Sequence, residues 1–254
     1  MTEPNAGSDL SAMATIAQEA GDEFILDGTK TFISNGINCD LVVVAARDPG
    51  VDNPHKAISL FLVEADRPGF KKGRPLDKMG LHSQDTAELF FNECRIPRQN
   101  LLGQKGQGFL MLMEKLQQER LVCAIGGISA AKFIFNYTLE YWKQAKGKTP
   151  GTSQAAQFAF AEMATQIQLG TTFVEDLVAR HMAKEPLMIQ SSMAKYWTTD
   201  LAKRMGDQCL DLVGEFALME SCPLVKAYKD VRVMSIFAGT NEIMKGIIAR
   251  SLGI

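Results

Sequence analysis

The stretch FILDGTKTFISNGINCDLVVVAA, residues 24–46, decides how the first part of the chain folds. Short runs of β-branched and aromatic residues alternate in it with two turn pairs, Asp27-Gly28 and Asn35-Gly36. Runs of this composition separated by such pairs are typical of β-hairpins. The stretch therefore predicts the hairpins of an antiparallel sheet.

Two further strand candidates continue this pattern. They are AISLFLVE at 57–64 and TAELFFNE at 86–93, and the segment 66–75 between them contains Pro and Gly residues typical of turns. We expect an all-β domain over residues 1–103.

The spacing of apolar residues changes after this point. Phe109, Met113 and Leu116 recur at the spacing of one helix face. Helical patterns with few breakers run over 107–145, 153–184, 187–213 and 238–251. We expect an all-α domain over residues 104–254, with an exposed loop at 143–154.

The charge of the chain is nearly balanced, with 27 basic and 29 acidic residues among 254. This balance gives no indication of a nucleic-acid partner. No apolar run approaches the roughly 18 residues of a membrane span, and the first residues lack the basic and apolar regions of a signal peptide. We expect a cytoplasmic protein without a membrane span.

The five cysteines and three histidines show no spacing of a disulfide framework or a metal site. The cysteines are scattered and form no C-x-x-C pair. His55, His82 and His181 lie far apart in the sequence. We expect no metal, and no nucleophile-elbow motif supports a Ser-His-Asp arrangement.

Two segments of the β half are candidates for ligand contact. MTEPNAGSD, residues 1–9, contains a Gly-bearing turn that permits a phosphate or heterocycle to approach the backbone, and an ordinary surface loop is the alternative. Phe32 and Ser34 lie two residues apart on a predicted strand, so their side chains share a face. That pair fits a flat ring and its polar edge, and a core position for Phe32 is the alternative.

Two segments of the helical half carry polar groups next to apolar helices. Glu119 and Arg120 precede an apolar run; Glu119 is either a base or a solvated charge. Thr240 and Glu242 begin the last helix, where they form an N-terminal cap or offer backbone N–H groups to an anion.

Seven separated segments, taken together in this order, carry a family resemblance. They are MTEPNAGSD (1–9), GTKTFISNG (28–36), KMGLHSQDTAELFFNECRIP (78–97), NLLG (100–103), LQQERL (116–121), SMAKYW (192–197) and PLVKAYKDVRVMSIFAGTNEIMKGIIAR (223–250). The sequence resembles the acyl-CoA dehydrogenase family, and most closely its long-chain branch.

The resemblance implies a fold. Members of the family have an N-terminal helical domain, a middle β-barrel and a C-terminal four-helix bundle. The chain is expected to be a multi-domain α+β protein with the antiparallel β-barrel over residues 1–103 and the bundle over 104–254, and to lack the first domain.

The resemblance also implies an activity. The family binds FAD in extended form, oxidises a fatty acyl-CoA to the trans-2-enoyl-CoA and passes electrons to electron-transferring flavoprotein. A homodimer or homotetramer is expected, or a heteromer in which a partner chain completes the FAD site. The alternative is a non-catalytic subunit or scaffold that binds FAD and substrate only with a partner.

Residue roles follow from the resemblance position by position. Thr2 and Ser8 match loop residues that contact flavin and pyrophosphate, and Phe32 and Ser34 match residues that lie against the isoalloxazine. Thr240 and Glu242 match positions that touch the adenosine part of FAD, and Gln208 opens a cofactor-binding turn. Glu119 matches the base of the long-chain and isovaleryl branches, and Arg120 a substrate contact.

The sequence departs from the family pattern at three places. The usual base belongs to an I-Y-E-G-T motif, which here reads Ile236-Phe237-Ala238-Gly239-Thr240 and lacks the Glu. The R-x-A/Q-F-G-K motif is replaced by Ala-Lys-Gly-Lys at 145–148 and lacks its Arg. The Q-x-x-G-G-x-G-Y turn after Gln208 is reduced to Gly-Glu-Phe at 214–216. The last two changes affect the FAD diphosphate site.

Overall fold

A computed structural model describes residues 1–144 and 154–254, which form two compact units, Met1–Glu114 and Lys115–Ile254. The division falls inside one long helix, so the domain boundary after Gly103 stays a prediction. The predicted loop at 143–154 lies almost entirely outside the described residues.

A seven-stranded sheet forms the first unit. The strands are β1 Ile16–Ala20, β2 Glu23–Ser34, β3 Leu41–Arg47, β4 Ile58–Glu64, β5 Phe70–Pro75, β6 Thr86–Pro97 and β7 Leu101–Leu102. A four-residue helix, α1 Pro54–Ala57, precedes β4. The strand order is β5-β6-β2-β1-β3-β4-β7.

The prediction of an antiparallel β-barrel is wrong in two respects. In the described part of the chain β5 pairs only with β6 and β7 only with β4, so the sheet has two edges and is not a closed barrel. It is also mixed, because β1 and β3 pair in parallel at Ile16 and Arg47. The other strand pairs are antiparallel, as expected.

The turn pairs of the opening stretch do not form the predicted hairpins. Asp27-Gly28 lies inside the continuous strand β2, where the pairing with β6 shifts register between Leu26 and Gly28. Gly28 has φ +151°, and a Cβ there would lie 2.7 Å from the Thr15 Cα, so the absent side chain permits a close approach of two backbones. The Asn35-Gly36 turn leads to β3, which pairs with β1 and β4 and not with β2.

The sheet encloses the larger core of this unit. Phe24 and Phe61 meet edge to face at 5.0 Å between ring centroids, and Phe70 stacks on Phe91 at the same distance. Aliphatic residues of the same strands complete this core. Burial of this apolar surface stabilises the packing of the sheet around its strands β2 and β6.

Five helices account for most of the remaining chain. They are α2 Gly108–Gln144, α3 Gln154–Met182, α4 Met188–Val213, α5 Pro223–Val231 and α6 Asn241–Ser251. Four of them match the predicted stretches, and α5 was not predicted. Close contacts at glycine fix the packing within the second unit: a Cβ on Gly127 of α2 would lie 2.9 Å from the Thr198 backbone carbon of α4.

Helix α2 has the predicted length but contains a more apolar segment than we expected from the sequence. Its 37 residues contain a window of mean hydropathy 1.3, which by length and composition alone suffices to cross a membrane. Lys132 is the one charged residue between Leu121 and Leu139. A core helix of a helical domain passes the same test, and Leu121, Ile128 and Ile134 of α2 belong to the core.

Candidate functional site

The segment MTEPNAGSD is anchored to the sheet by the buried carboxylate of Glu3. Its Oε1 lies 2.7 Å from Lys30 Nζ on β2, and the two oxygens accept hydrogen bonds from the backbone N–H groups of Ala14 and Thr15 at 2.6 and 3.0 Å. The Thr31 N–H donates to the Thr2 carbonyl at 2.9 Å. The segment is therefore a tightly held loop and not a loosely attached surface turn.

Burial acts on the pKa values of both ionic partners. It opposes ionisation of Glu3, but hydrogen bonds from Lys30 and Ala14 outweigh this effect and lower the pKa of Glu3. Burial lowers the pKa of Lys30, and the Glu3 carboxylate opposes the change. Sequence patterns missed this pair, because its members are 27 residues apart and only the fold brings them together.

Phe32 lies beside this loop in a strained backbone conformation. Its φ is +55°, a left-handed value that is rare for a bulky residue, and its side chain is 69% exposed. The core alternative for Phe32 is therefore wrong. Ser34 is also exposed, as expected for two residues on one face of the strand.

The first unit thus presents an aromatic ring and hydroxyl groups on β2, and hydroxyl groups and open backbone on the loop that the Thr31–Thr2 hydrogen bond joins to it. Thr2 is half-buried and Ser8 is exposed, and a Cβ added at Gly7 would meet no atom within 4 Å. An exposed aromatic side chain can stack on a flat heterocycle, and free backbone at a glycine can approach a phosphate. These residues fit a flavin nucleotide.

In the second unit, the turn before α6 has an unusual backbone. Ala238 has φ +53° and Gly239 has φ +93°, and Thr240 follows as the N-cap of α6. The Thr240 Oγ1 accepts a hydrogen bond from the Ile243 N–H at 3.3 Å, as the capping interpretation predicts. Glu242 is exposed, and its carboxylate accepts hydrogen bonds from its own backbone N–H and from the Thr240 side chain, which lower its pKa.

This turn is held by a fully buried lysine that sequence reasoning missed. Lys195 Nζ donates to the Gly239 carbonyl at 2.7 Å and to Asn241 Oδ1 at 3.0 Å. Asn241 Nδ2 donates in turn to Asp200 Oδ1 at 2.9 Å and to the Tyr196 carbonyl at 3.2 Å. The helical spacing of α4 could have indicated that Lys195 is buried, because Lys195 lies on the same face as the other buried residues of this helix.

Two carboxylates, Asp200 and Glu242, together with the Cys123 thiol and one cation, Arg120, act on the charge of Lys195. Burial lowers its pKa from 10.5 to about 8; Cys123 and Asp200 oppose the change and Arg120 adds to it. Burial also raises the pKa of the Cys123 thiol to about 11. At neutral pH the turn is therefore held by an ammonium group, next to a thiol that stays protonated.

Glu119 and Arg120 are adjacent in α2 but differ in exposure. Glu119 is exposed, whereas Arg120 is 7% exposed and its Nε has no hydrogen-bond partner among the described residues. Burial lowers the pKa of Arg120, and Glu119 opposes the change. A Cβ on Gly239 would lie 4.0 Å from the Arg120 guanidinium, so α2 meets the Ala238–Gly239 turn at this residue.

The remaining predicted cofactor contacts lie on α4 and beyond it. Gln208 is exposed on α4, which continues without a break to Val213. Gly214 caps the helix with φ +70°, and its N–H donates to the Leu210 carbonyl. Glu215 follows in an exposed 3-10 turn. Residues 145–148 lie outside the described residues.

Comparisons with known proteins agree with this architecture. The acyl-CoA dehydrogenase middle domain matches residues 1–94, and the acyl-CoA dehydrogenase C-terminal domain matches residues 106–253. The chain belongs to the acyl-CoA dehydrogenase family.

Individual acyl-CoA dehydrogenases match almost the whole chain. It is 46% identical over 255 residues to the mitochondrial long-chain specific acyl-CoA dehydrogenase of Rattus norvegicus, covering 99% of this chain and 59% of that protein. An acyl-CoA dehydrogenase structure from Geobacillus kaustophilus is 50% identical with a TM-score of 0.96, covering 100% of this chain and 68% of that one. A structure of the electron transferring flavoprotein of Acidaminococcus fermentans is 33% identical with a TM-score of 0.93, and the match covers 99% of this chain and 66% of that one. The chain thus spans about three fifths of the rat enzyme.

Proposed function

We propose that this chain catalyses FAD-dependent α,β-dehydrogenation of a fatty acyl-CoA thioester to the trans-2-enoyl-CoA. The contact of α2 with the Ala238–Gly239 turn carries the proposal. In the I-Y-E-G-T motif the base precedes the glycine, and here Ala238 takes its place. Arg120 lies against Gly239, which brings the turn of α2 that contains Glu119 to the segment from which the usual base is absent.

In this proposal Glu119 removes the α-proton of the thioester. That proton is weakly acidic, so the thioester carbonyl must be polarised by hydrogen-bond donors while the carboxylate takes the proton. The exposure of Glu119 leaves its carboxylate accessible to a substrate. Arg120 is the proposed substrate-side contact, and its buried Nε is a donor without a hydrogen-bond partner among the described residues.

FAD is the cofactor that the chain's residues fit. Thr2, Ser8, Phe32 and Ser34 would hold its flavin and pyrophosphate, as the exposed ring and open backbone of the first unit support. Further contacts are proposed for Gln208, Thr240 and Glu242. When bound, FAD supplies the acceptor for the β-hydride. A long-chain substrate and an electron-transferring flavoprotein as acceptor are the choices that the relatives' names support.

The test is the exchange of the α-proton in an acyl-CoA with solvent deuterium. Glu119→Gln keeps the size of the side chain and removes the base, so we expect the FAD-loaded variant to lose exchange. The matched control is Glu114→Gln, which removes an exposed carboxylate five residues earlier on the same helix. Unchanged exchange in Glu119→Gln would remove this residue from the mechanism.

A second function is favoured by the end of α4. The unbroken helix through Gln208 and the exposed Glu215 place no glycine-rich turn there, and a negative charge is unfavourable beside a diphosphate. The chain would then be a non-catalytic subunit or scaffold that needs a partner chain to bind FAD and substrate. Calorimetric titration with FAD and with acyl-CoA separates the two functions, because tight binding by the isolated chain contradicts the scaffold.

A further inference from the structure

The Glu3–Lys30 ion pair connects the two segments of the first unit that carry the candidate flavin contacts. Glu3 lies one residue after Thr2, and Lys30 lies two residues before Phe32. Both side chains are almost fully buried, and the Nζ–Oε1 distance is 2.7 Å. Neither side chain is exposed to a ligand, although each is adjacent to residues that are.

The carboxylate of Glu3 joins three parts of the chain at once. Besides Lys30 it accepts hydrogen bonds from the backbone of Ala14 and Thr15, just before β1. The loop itself closes through reciprocal backbone hydrogen bonds between Glu3 and Ala6, at 3.0 and 3.2 Å. The position of the loop tip relative to the sheet is therefore set mainly at Glu3.

Lys30 lies where the strand becomes irregular. The pairing of β2 with β6 shifts register between Lys30 and Ile33, and Lys30 and Thr31 are consecutive buried residues. In a regular strand one of the two would face outward. The shift, together with the left-handed φ of Phe32, leaves the Phe32 ring on the exposed face next to the loop.

A buried ion pair is weak evidence for stability, because desolvation of both charges offsets much of their attraction. Its contribution at this place is geometric, because one carboxylate joins Lys30 of β2 to the backbone N–H groups of Ala14 and Thr15. We propose that Glu3 and Lys30 are positioning residues that fix the loop of residues 2–8 against Phe32–Ser34, and so pre-form the surface that receives the flavin. The ligand in this inference rests on the proposed function, whereas the positioning does not.

Amide hydrogen exchange and FAD titration test this proposal on the full chain. In Glu3→Gln we expect amide exchange in residues 1–15 to become faster by about tenfold or more, and the Kd for FAD to rise by a similar factor, since a buried hydrogen bond to a charged group is lost. The matched control is Glu23→Gln, which removes one partner of the exposed Arg95–Glu23 pair, 3.3 Å apart, and should change neither quantity. Unchanged exchange in Glu3→Gln would overturn the proposal.

A double variant separates positioning from stability. Glu3→Gln with Lys30→Met removes both charges, so the unfolding midpoint should recover relative to Glu3→Gln alone. Fast exchange and weak FAD binding should persist, and their return to wild-type values would overturn the proposal.

If Glu3→Gln does not fold, Glu3→Asp keeps the charge but shortens the side chain, and faster exchange in residues 1–15 is again expected. If the wild-type chain takes up no FAD, the proposed function fails while the exchange measurements still decide the positioning.

Discussion

Replacing the buried Lys195 by Met should change how the stability of the helical unit depends on pH. Lys195 is fully buried, and its Nζ holds the Gly239 carbonyl and Asn241 Oδ1. Its pKa of about 8 in the folded chain, against 10.5 when exposed, means that the folded state binds its proton more weakly than the unfolded state. Stability from this group is therefore lowest below pH 8 and rises as the pH increases towards 10.5.

The size of the effect follows from the pKa difference. One pKa unit is about 1.4 kcal/mol, so the fall from 10.5 to about 8 corresponds to about 3 kcal/mol of pH-dependent stability. At pH 7 that burial cost nearly cancels the hydrogen bonds that Met would lose, each worth about 1–3 kcal/mol. Lys195→Met should therefore differ from wild type by about 2 kcal/mol or less at pH 7, and wild type should gain about 2–3 kcal/mol on the variant by pH 10.

Tryptophan fluorescence during urea unfolding measures this difference, because both tryptophans, Trp142 and Trp197, belong to the helical unit. Arg120, Cys123, Asp200 and Glu242 face Lys195 and remain in the variant. The raised pKa of Cys123 acts in the opposite direction between pH 9 and about 11, and the variant loses the lowering effect of Lys195 on that pKa, so stability of the variant falls further over this range.

The control for Lys195→Met is Lys226→Met, which removes an exposed lysine of α5 in the same unit and should show no pH-dependent difference from wild type. A difference between wild type and Lys195→Met that stays constant from pH 7 to pH 10 would refute the reasoning.

Three further substitutions test local features. Phe32→Gly should stabilise the sheet unit by about 0.5–1 kcal/mol in thermal unfolding, because it relieves a left-handed backbone, and should weaken FAD binding; lower stability would show that no strain is stored there. Gly28→Ala should cost about 2 kcal/mol more than the control Gly21→Ala, because only the first Cβ collides with Thr15, and equal midpoints would contradict the close approach. Thr240→Ala should destabilise the helical unit by about 1 kcal/mol in urea unfolding while Thr240→Ser does not, and equal losses would contradict capping by the hydroxyl.

The strands and helices that pack with a regular period could be predicted from the sequence. The apolar runs of β3, β4 and β6 and the helical spacing of α2, α3 and α4 identified these elements. Strand β1, with the sequence IAQEA, and strand β5, with FKKGRP, are short and have too few apolar residues to show a period. Their strand conformation depends on pairing with β2 and β6, which is a tertiary contact.

Turn chemistry was misleading at Asp27-Gly28 for a related reason. A glycine serves equally well in a hairpin turn or where another backbone approaches, and only the fold shows that Thr15 lies against Gly28. The real tight hairpin lies at Gly21 and Asp22, between β1 and β2.

The candidate site, too, could be predicted from the sequence only in part. The family motifs pointed to Phe32, Glu119 and Thr240, which are proposed ligand contacts. The partners of the buried charges that hold those segments, Lys30 and Lys195, could not be predicted from the sequence, because these partners are 27 and 44 residues away. Their contribution is visible only once the fold has removed them from water.

The most direct test of the central claim is the visible absorption spectrum of the purified chain with FAD, recorded before and after anaerobic addition of a saturated long-chain acyl-CoA. A working acyl-CoA dehydrogenase should retain flavin absorption through gel filtration, and that absorption should bleach when the acyl-CoA is added. A chain that retains no flavin, or whose flavin absorption is unchanged by the acyl-CoA, would contradict the proposed dehydrogenation.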